Sequence, residues 1–262
     1  MNHSLIELRK KPHTSVSAIK EYLLCPRRFF LHYVLKIQPA FRPVALVFGS
    51  AWHTVISRWL LQDGVEHAEL QEHLRDELVA RIQGENNVLF DDADEDEGTL
   101  VDTAVSMLDV FLAKVPRPEQ TLGVEIPFEL ELAHPQTGEL LDVPLIGALD
   151  AVVLEAGKGA VWELKTAKKK WSPDQFEFDL QATAYGMAAR HEGYGGAELR
   201  FLITTKTKKP DVQRETVVRH RGDEEELVEI VFGVQKAVEA GVDYPNRGWQ
   251  CGTCPYAGEC RP

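Results

Sequence analysis

All four cysteines of this 262-residue chain stand where a single metal site could take them. Cys251, Cys254 and Cys260 form a C-x₂-C-x₅-C run in the last twelve residues, and Cys25 lies near the start. Four thiolates bind one zinc ion or one iron–sulfur cluster. Either group would tie the two ends of the chain together, so the fold must bring residue 25 to residues 251–260. The first residues, MNHSLIELRKKPH, hold no apolar leader, and no run approaches the roughly 18 apolar residues of a membrane span. The expectation is a cytoplasmic protein without a membrane partner, in which clustered thiols hold metal rather than disulfides.

Net charge is −12, which argues against a protein that coats nucleic acid nonspecifically. The charge is unevenly spread. Asp91, Asp92, Asp94, Glu95, Asp96 and Glu97 form one acidic run and residues 223–226 another, while Lys168–Lys170 and Lys206–Lys209 are locally basic. The run at 91–98 reads as a solvated loop, since its acids lack the order of a calcium loop.

Patterning divides the chain. A helix capped by Ser15 or Ser17 runs through AIKEYLLCPRRFFLHYVL and breaks or kinks before Pro26. Helices are also expected at 47–61, 66–83 and about 99–114. Period-two alternation then predicts strands at 122–132, 140–155 and 160–166, joined by glycine turns into an antiparallel meander. One helix over 173–190, strands at 199–205 and 212–220, and a last amphipathic helix from about 223 to 241 complete the reading. This is one α/β domain over 1–262: a helical N-terminal part (1–118), a core (119–220) and a C-terminal helix with the cysteine segment (221–262).

Within the core, Glu163 and Lys165 share one face of a strand by alternation, and Asp150 ends the preceding apolar strand. Close carboxylates repel unless a divalent cation neutralises them. A lysine beside them can stabilise charge on a phosphate or position a water. An exposed cross-strand pair is the alternative for E-x-K, but Val161, Trp162 and Leu164 make the surroundings apolar.

In order, Gly147-x-x-Asp150, Glu163-Leu-Lys165 and Gln181-x₃-Tyr185, with an upstream Gly49-Ser-Ala-Trp-His53, resemble the PD-(D/E)XK nuclease superfamily and, within it, the RecB-like exonuclease branch. The resemblance runs from about Ser15 to Cys260. It implies a restriction-endonuclease-like core, a central mixed β-sheet flanked by helices. It implies that His53, Asp150, Glu163 and the backbone carbonyl of Leu164 ligate Mg²⁺ or Mn²⁺. Lys165 would then assist the attacking water, and Gln181 and Tyr185 would position the lysine or the DNA backbone.

The cysteines extend it. One distant ligand and spacings of two then five fit a zinc ribbon poorly. They resemble the iron–sulfur nucleases, the CRISPR-associated exonuclease family and AddB-type helicase–nuclease subunits, in which four such cysteines hold a [4Fe–4S] cluster. The implied activity is hydrolysis of single-stranded or end-containing DNA, in CRISPR spacer acquisition, DNA repair or recombination, with an integrase complex or a helicase as possible partner. Lys168–Lys170, Trp171, Lys206, Lys208, Lys209, Arg27 and Arg28 are candidate DNA contacts. Two other readings stay open: a non-catalytic DNA-binding or scaffold subunit, and a zinc-bound structural protein.

Overall fold

The computed structural model describes residues 4–92 and 94–261. A short helix α1 (Leu5–Leu8) precedes α2 (Val16–Leu24) and α3 (Pro26–Phe29). The expected break falls at Cys25. Proline at the first helical position disfavours a helical residue before it, and Cys25 is extended at φ −163°, closing α2 and opening α3. That kink takes the thiol out of the helix. A π-helical turn follows over Phe30–Val34.

Three helices come next: α4 (Val44–Leu61), α5 (His67–Gln83) and α6 (Glu97–Lys114). A two-residue parallel pair, β1 (Arg42–Pro43) with β2 (Val88–Leu89), clips the loops between them. The acidic run is cut short at its C-terminal end, because Asp96 caps α6 by accepting from Thr99 N at 2.8 Å.

The main sheet has the order β3 (Gln120–Leu130), β4 (Leu145–Glu155), β5 (Lys158–Ala167), β6 (Glu198–Thr205), β7 (Val212–Val217). β3, β4 and β5 form the expected antiparallel meander. β5 and β6 run parallel, joined by α7 (Pro173–Glu177) and α8 (Leu180–His191), and β7 returns antiparallel. The sheet is therefore mixed. Its faces carry two separate apolar cores. α2, α8 and the long α9 (Arg221–Glu239) cover one, around Leu149, Val161, Phe201 and Val231. α4, α5 and α6 cover the other, around Trp52, Phe111, Trp162 and Leu202. A three-residue 3₁₀ turn (Trp249–Cys251) and α10 (Ala257–Cys260) end the chain.

Four expectations need correction. β4 starts at Leu145, not 140, because Pro144 and the turn before it lie outside the ladder. The helix expected over 173–190 is two helices: Asp179 caps α8 by accepting from Ala182 N at 2.9 Å. Arg219 holds the break by donating to the carbonyls of Phe176 and Asp179. The last strand stops at Val217, and His220 opens α9 two residues earlier than expected. Finally, α4 does reach 18 residues at a mean hydropathy of 1.3, enough by length and composition alone to cross a membrane; half of it is buried inside the protein.

Candidate active site

The site grows from a place where the sheet comes apart. The β4–β5 ladder runs only from Glu155↔Lys158 to Ala151↔Trp162. Beyond it β5 pairs with β6 alone, so the Leu164 peptide group on the β4 side has no strand partner. Buried peptide groups must be satisfied. Asp150 takes the role of the missing strand: its Oδ2 accepts from Leu164 N at 2.8 Å. On the same side, His53 Nε2 donates to the Leu164 carbonyl at 3.0 Å. Helix α4 thus holds its histidine against the backbone that the splayed strands expose.

Glu163 and Lys165 point to the opposite face from Leu164, as alternation requires. Gln181 and Tyr185, one turn apart on α8, meet them there. Lys165 Nζ donates to Gln181 Oε1 at 2.9 Å, Gln181 Nε2 donates to Tyr185 Oη at 3.1 Å, and Tyr185 Oη donates to Asp150 Oδ1 at 3.1 Å. A chain of hydrogen bonds therefore runs from the lysine to the aspartate. Gly147 makes room for it. A Cβ there would lie 2.4 Å from Phe128 Cζ, and the Phe128 ring packs edge-on against Tyr185.

Electrostatics are severe. Glu163 is fully buried. Lys165 forms an ion pair with it, yet neither Glu163 oxygen has a hydrogen bond of regular geometry. Burial, then the Asp150 charge, raise its pKa from 4.5 to about 7 against the pull of Lys165 and His53. For His53, burial works downward, but Asp150, Glu125 and Glu163 outweigh it and lift the imidazole to about 9. Burial likewise lowers Lys165, and Glu163, Asp150 and Asp179 overcome it, so the ammonium is held above its ordinary value. Burial and the neighbouring acids push the Tyr185 phenol well up.

Glu125 is the residue that sequence reasoning missed. It sits in β3 between Val124↔Ala151 and Ile126↔Leu149, hence level with Asp150. Its φ is +49°, a left-handed conformation rare for a non-glycine residue and common at functional sites. Its Oε1 lies 3.8 Å from His53 Nδ1, and Asp150 Oδ1 lies 3.7 Å from the same nitrogen. Ligand atoms of His53, Glu125 and Asp150 fall within 4.8 Å of one another. The one hint in the sequence is Pro127, which belongs on an edge strand or at an irregularity, and β3 is an edge strand. With the buried Glu163 carboxylate nearby, this oxygen-rich set with one imidazole suits a hard divalent cation.

At the far end, all four cysteines line one small cavity with Arg27, Arg28, Arg247 and Arg261. Asn246 stitches the chain ends by donating its backbone N–H to Cys25 Sγ at 3.4 Å and its side chain to the Leu24 carbonyl at 2.9 Å.

The lysines expected to meet DNA are differently engaged. Lys206 pairs with Asp91 and Glu95 at 2.8 and 3.0 Å, Lys168 faces Asp91 and Asp92, and Lys170 pairs with Asp211. Arg27 is held by Asp243 and Arg28 by Glu21. Trp171 packs on Phe176 and Phe201. The acidic run is thus a partner for the basic clusters and more than a solvated turn.

Comparison with known proteins bears on the fold and the family. Over its full length the chain is similar in structure to a provisionally assigned exonuclease of Eubacterium rectale, covering 94% of that chain at 15% identity and a TM-score of 0.53. A second structure, of the protein SSO0001, matches over 97% of this chain and 91% of its own at 13% identity; its TM-score of 0.44 is too low to establish a shared fold. No curated protein matches in sequence. The sequence profile of the PD-(D/E)XK nuclease superfamily matches residues 13–261, and with nearly the whole chain inside that match, the protein belongs to the PD-(D/E)XK nuclease superfamily.

Proposed function

We propose that this chain is a metal-dependent DNA nuclease, acting on single-stranded or end-containing DNA, with Mg²⁺ or Mn²⁺ at the His53–Asp150–Glu163 site and a [4Fe–4S] cluster at its four cysteines. The observation that carries the first part is the fully buried Glu163 carboxylate, crowded by Asp150 and met by Lys165 and His53. A stable fold has no use for such repulsion unless a cation joins it. The bound cation would polarise the scissile phosphate and acidify a water.

His53, Asp150, Glu163 and the Leu164 carbonyl would hold the metal, and Glu125 is placed to join them. Lys165 orients the attacking water and meets charge on the phosphate. Gln181 fixes the ammonium, and Tyr185 fixes Asp150. The thiols support the cluster over zinc by their spread. One distant ligand and three at spacings of two then five fit a zinc ribbon poorly. The cluster's role is structural: it fixes both chain ends against the core. On this reading the protein works in the cytoplasm in CRISPR spacer acquisition, DNA repair or recombination, beside an integrase complex or a helicase.

The test is cleavage of end-labelled single- and double-stranded DNA with Mg²⁺ or Mn²⁺, using protein purified without oxygen, beside Lys165→Ala. Metal-dependent cleavage that falls at least about 100-fold in the variant is expected. A folded, cluster-loaded protein that cuts neither substrate overturns the reading.

A further inference from the structure

A groove of about 450 Å³ adjoins the site. Its floor includes Glu125, Gln181 and Tyr185, so it is continuous with the catalytic constellation. Its wall comes from the N-terminal segment and carries Arg9, His13, His32 and Tyr33, none of which the sequence motifs single out.

This wall differs from the lysines that follow β5. Of those, Lys168 faces Asp91 and Asp92 and Lys170 pairs with Asp211. Arg9 is exposed, and among the described residues its guanidinium has no ion-pair partner. His13 is exposed too, its Nδ1 turned to the Lys11 carbonyl at 2.7 Å. His32 is shared with Glu21 at 3.2 Å. The wall carries the fixed positive charge of Arg9, and the floor carries Glu125.

Tyr33 adds the second element. It is an exposed aromatic at the groove, stacked on the buried Phe29 at 5.0 Å between centroids, with the His32 ring at 4.3 Å. It sits on the π-helical turn over Phe30–Val34, a rare geometry that recurs at functional sites. A fixed, exposed ring beside a free guanidinium suits a single strand. A base stacks on the ring and a phosphate meets the cation. A paired duplex offers no free base face, and the volume is that of a small-ligand site.

We propose that this groove holds the unpaired strand next to the scissile phosphate, with Arg9 on a backbone phosphate and Tyr33 against a base. This rests on the nuclease reading above. The test is fluorescence anisotropy of a labelled oligothymidylate with the full chain in EDTA, over a salt series, beside cleavage of the same strand with Mn²⁺. Tyr33→Ala should weaken binding about 5- to 150-fold. Arg9→Ala, which breaks no ion pair among the described residues, should lower the slope of log affinity against log salt by about 0.7. Lys158→Ala, at the opposite end of β5, should leave both unchanged. If wild type binds and cuts the strand and both groove variants bind as wild type does, the groove is not the strand path and the nuclease reading stands. If wild type neither binds nor cuts any strand, the nuclease reading fails and takes the groove with it.

Discussion

Replacing Glu163 by Gln should remove most of the pH dependence of folding between pH 4.5 and about 7 in the metal-free protein. The wild-type carboxyl has its pKa raised from 4.5 to about 7 by burial and by Asp150. A group whose folded pKa lies above its unfolded value binds more protons when folded, so its contribution is present at low pH and lost as pH rises. For Glu163 that loss falls between about pH 4.5 and 7. At about 1.36 kcal/mol for each unit it amounts to about 3 kcal/mol, a large part of a typical domain's stability. His53, raised from 6.5 to about 9, acts with the same sign over the next interval. Metal-free wild type should therefore lose stability steadily from pH 4.5 to 9. Glu163→Gln should be nearly flat to pH 6.5 and fall only weakly above it, since Glu163 is one of the charges that raise His53. Urea unfolding in EDTA at half-unit pH intervals checks this. Mn²⁺ should stabilise wild type more at pH 8 than at pH 5, because ligation needs ionised carboxylates and a neutral imidazole. Parallel pH profiles for wild type and variant would refute the reasoning.

Gly147→Ala drives a methyl into the Phe128 ring; it should cost about 1–3 kcal/mol by denaturant unfolding, and an unchanged midpoint contradicts the packing described. Tyr185→Phe removes the bond to Asp150 and the one from Gln181; kcat should drop about 10- to 100-fold with little change in KM for DNA, and full activity would leave the phenol without a role. Cys254→Ala should bleach the protein, brown when cluster-loaded, and cost about 2–5 kcal/mol by the loop-constraint logic of a cross-link; a wild-type protein that is colourless and rich in zinc rejects the cluster.

Local signals were the legible ones. Pro26 announced the kink at Cys25, alternation put Glu163 and Lys165 on one face, and the four-residue spacing aligned Gln181 with Tyr185. The break between α7 and α8 was also written in the chain, since Asp179 is a good cap, but the helical spacing on either side of it masked the stop. What stayed hidden depends on distant pairing. Nothing near Asp91 or Glu95 says that they neutralise Lys206, more than a hundred positions away. Without that pairing, the acidic run reads only as a solvated loop, and the engagement of Lys168 and Lys206 goes unseen. Glu125 was hidden for another reason: a left-handed residue inside a strand leaves the period-two pattern, which is the signal that sequence reading relies on.

The irregularities of the sheet explain why the site is where it is. The positive φ at Glu125, the end of the β4–β5 ladder after Ala151 and the unpaired Leu164 peptide all fall at one level across three neighbouring strands. A regular sheet would bond Leu164 to β4 and leave Asp150 free to point elsewhere. Splaying the strands exposes one N–H and one C=O, and Asp150 and His53 satisfy them at 2.8 and 3.0 Å. Those bonds fix the positions of both side chains, and Tyr185 fixes the other Asp150 oxygen. Glu163, fully buried, is left with the Lys165 ammonium as its partner. The backbone defect thus orients part of the charged cluster and crowds a buried carboxylate, paired with Lys165, against Asp150.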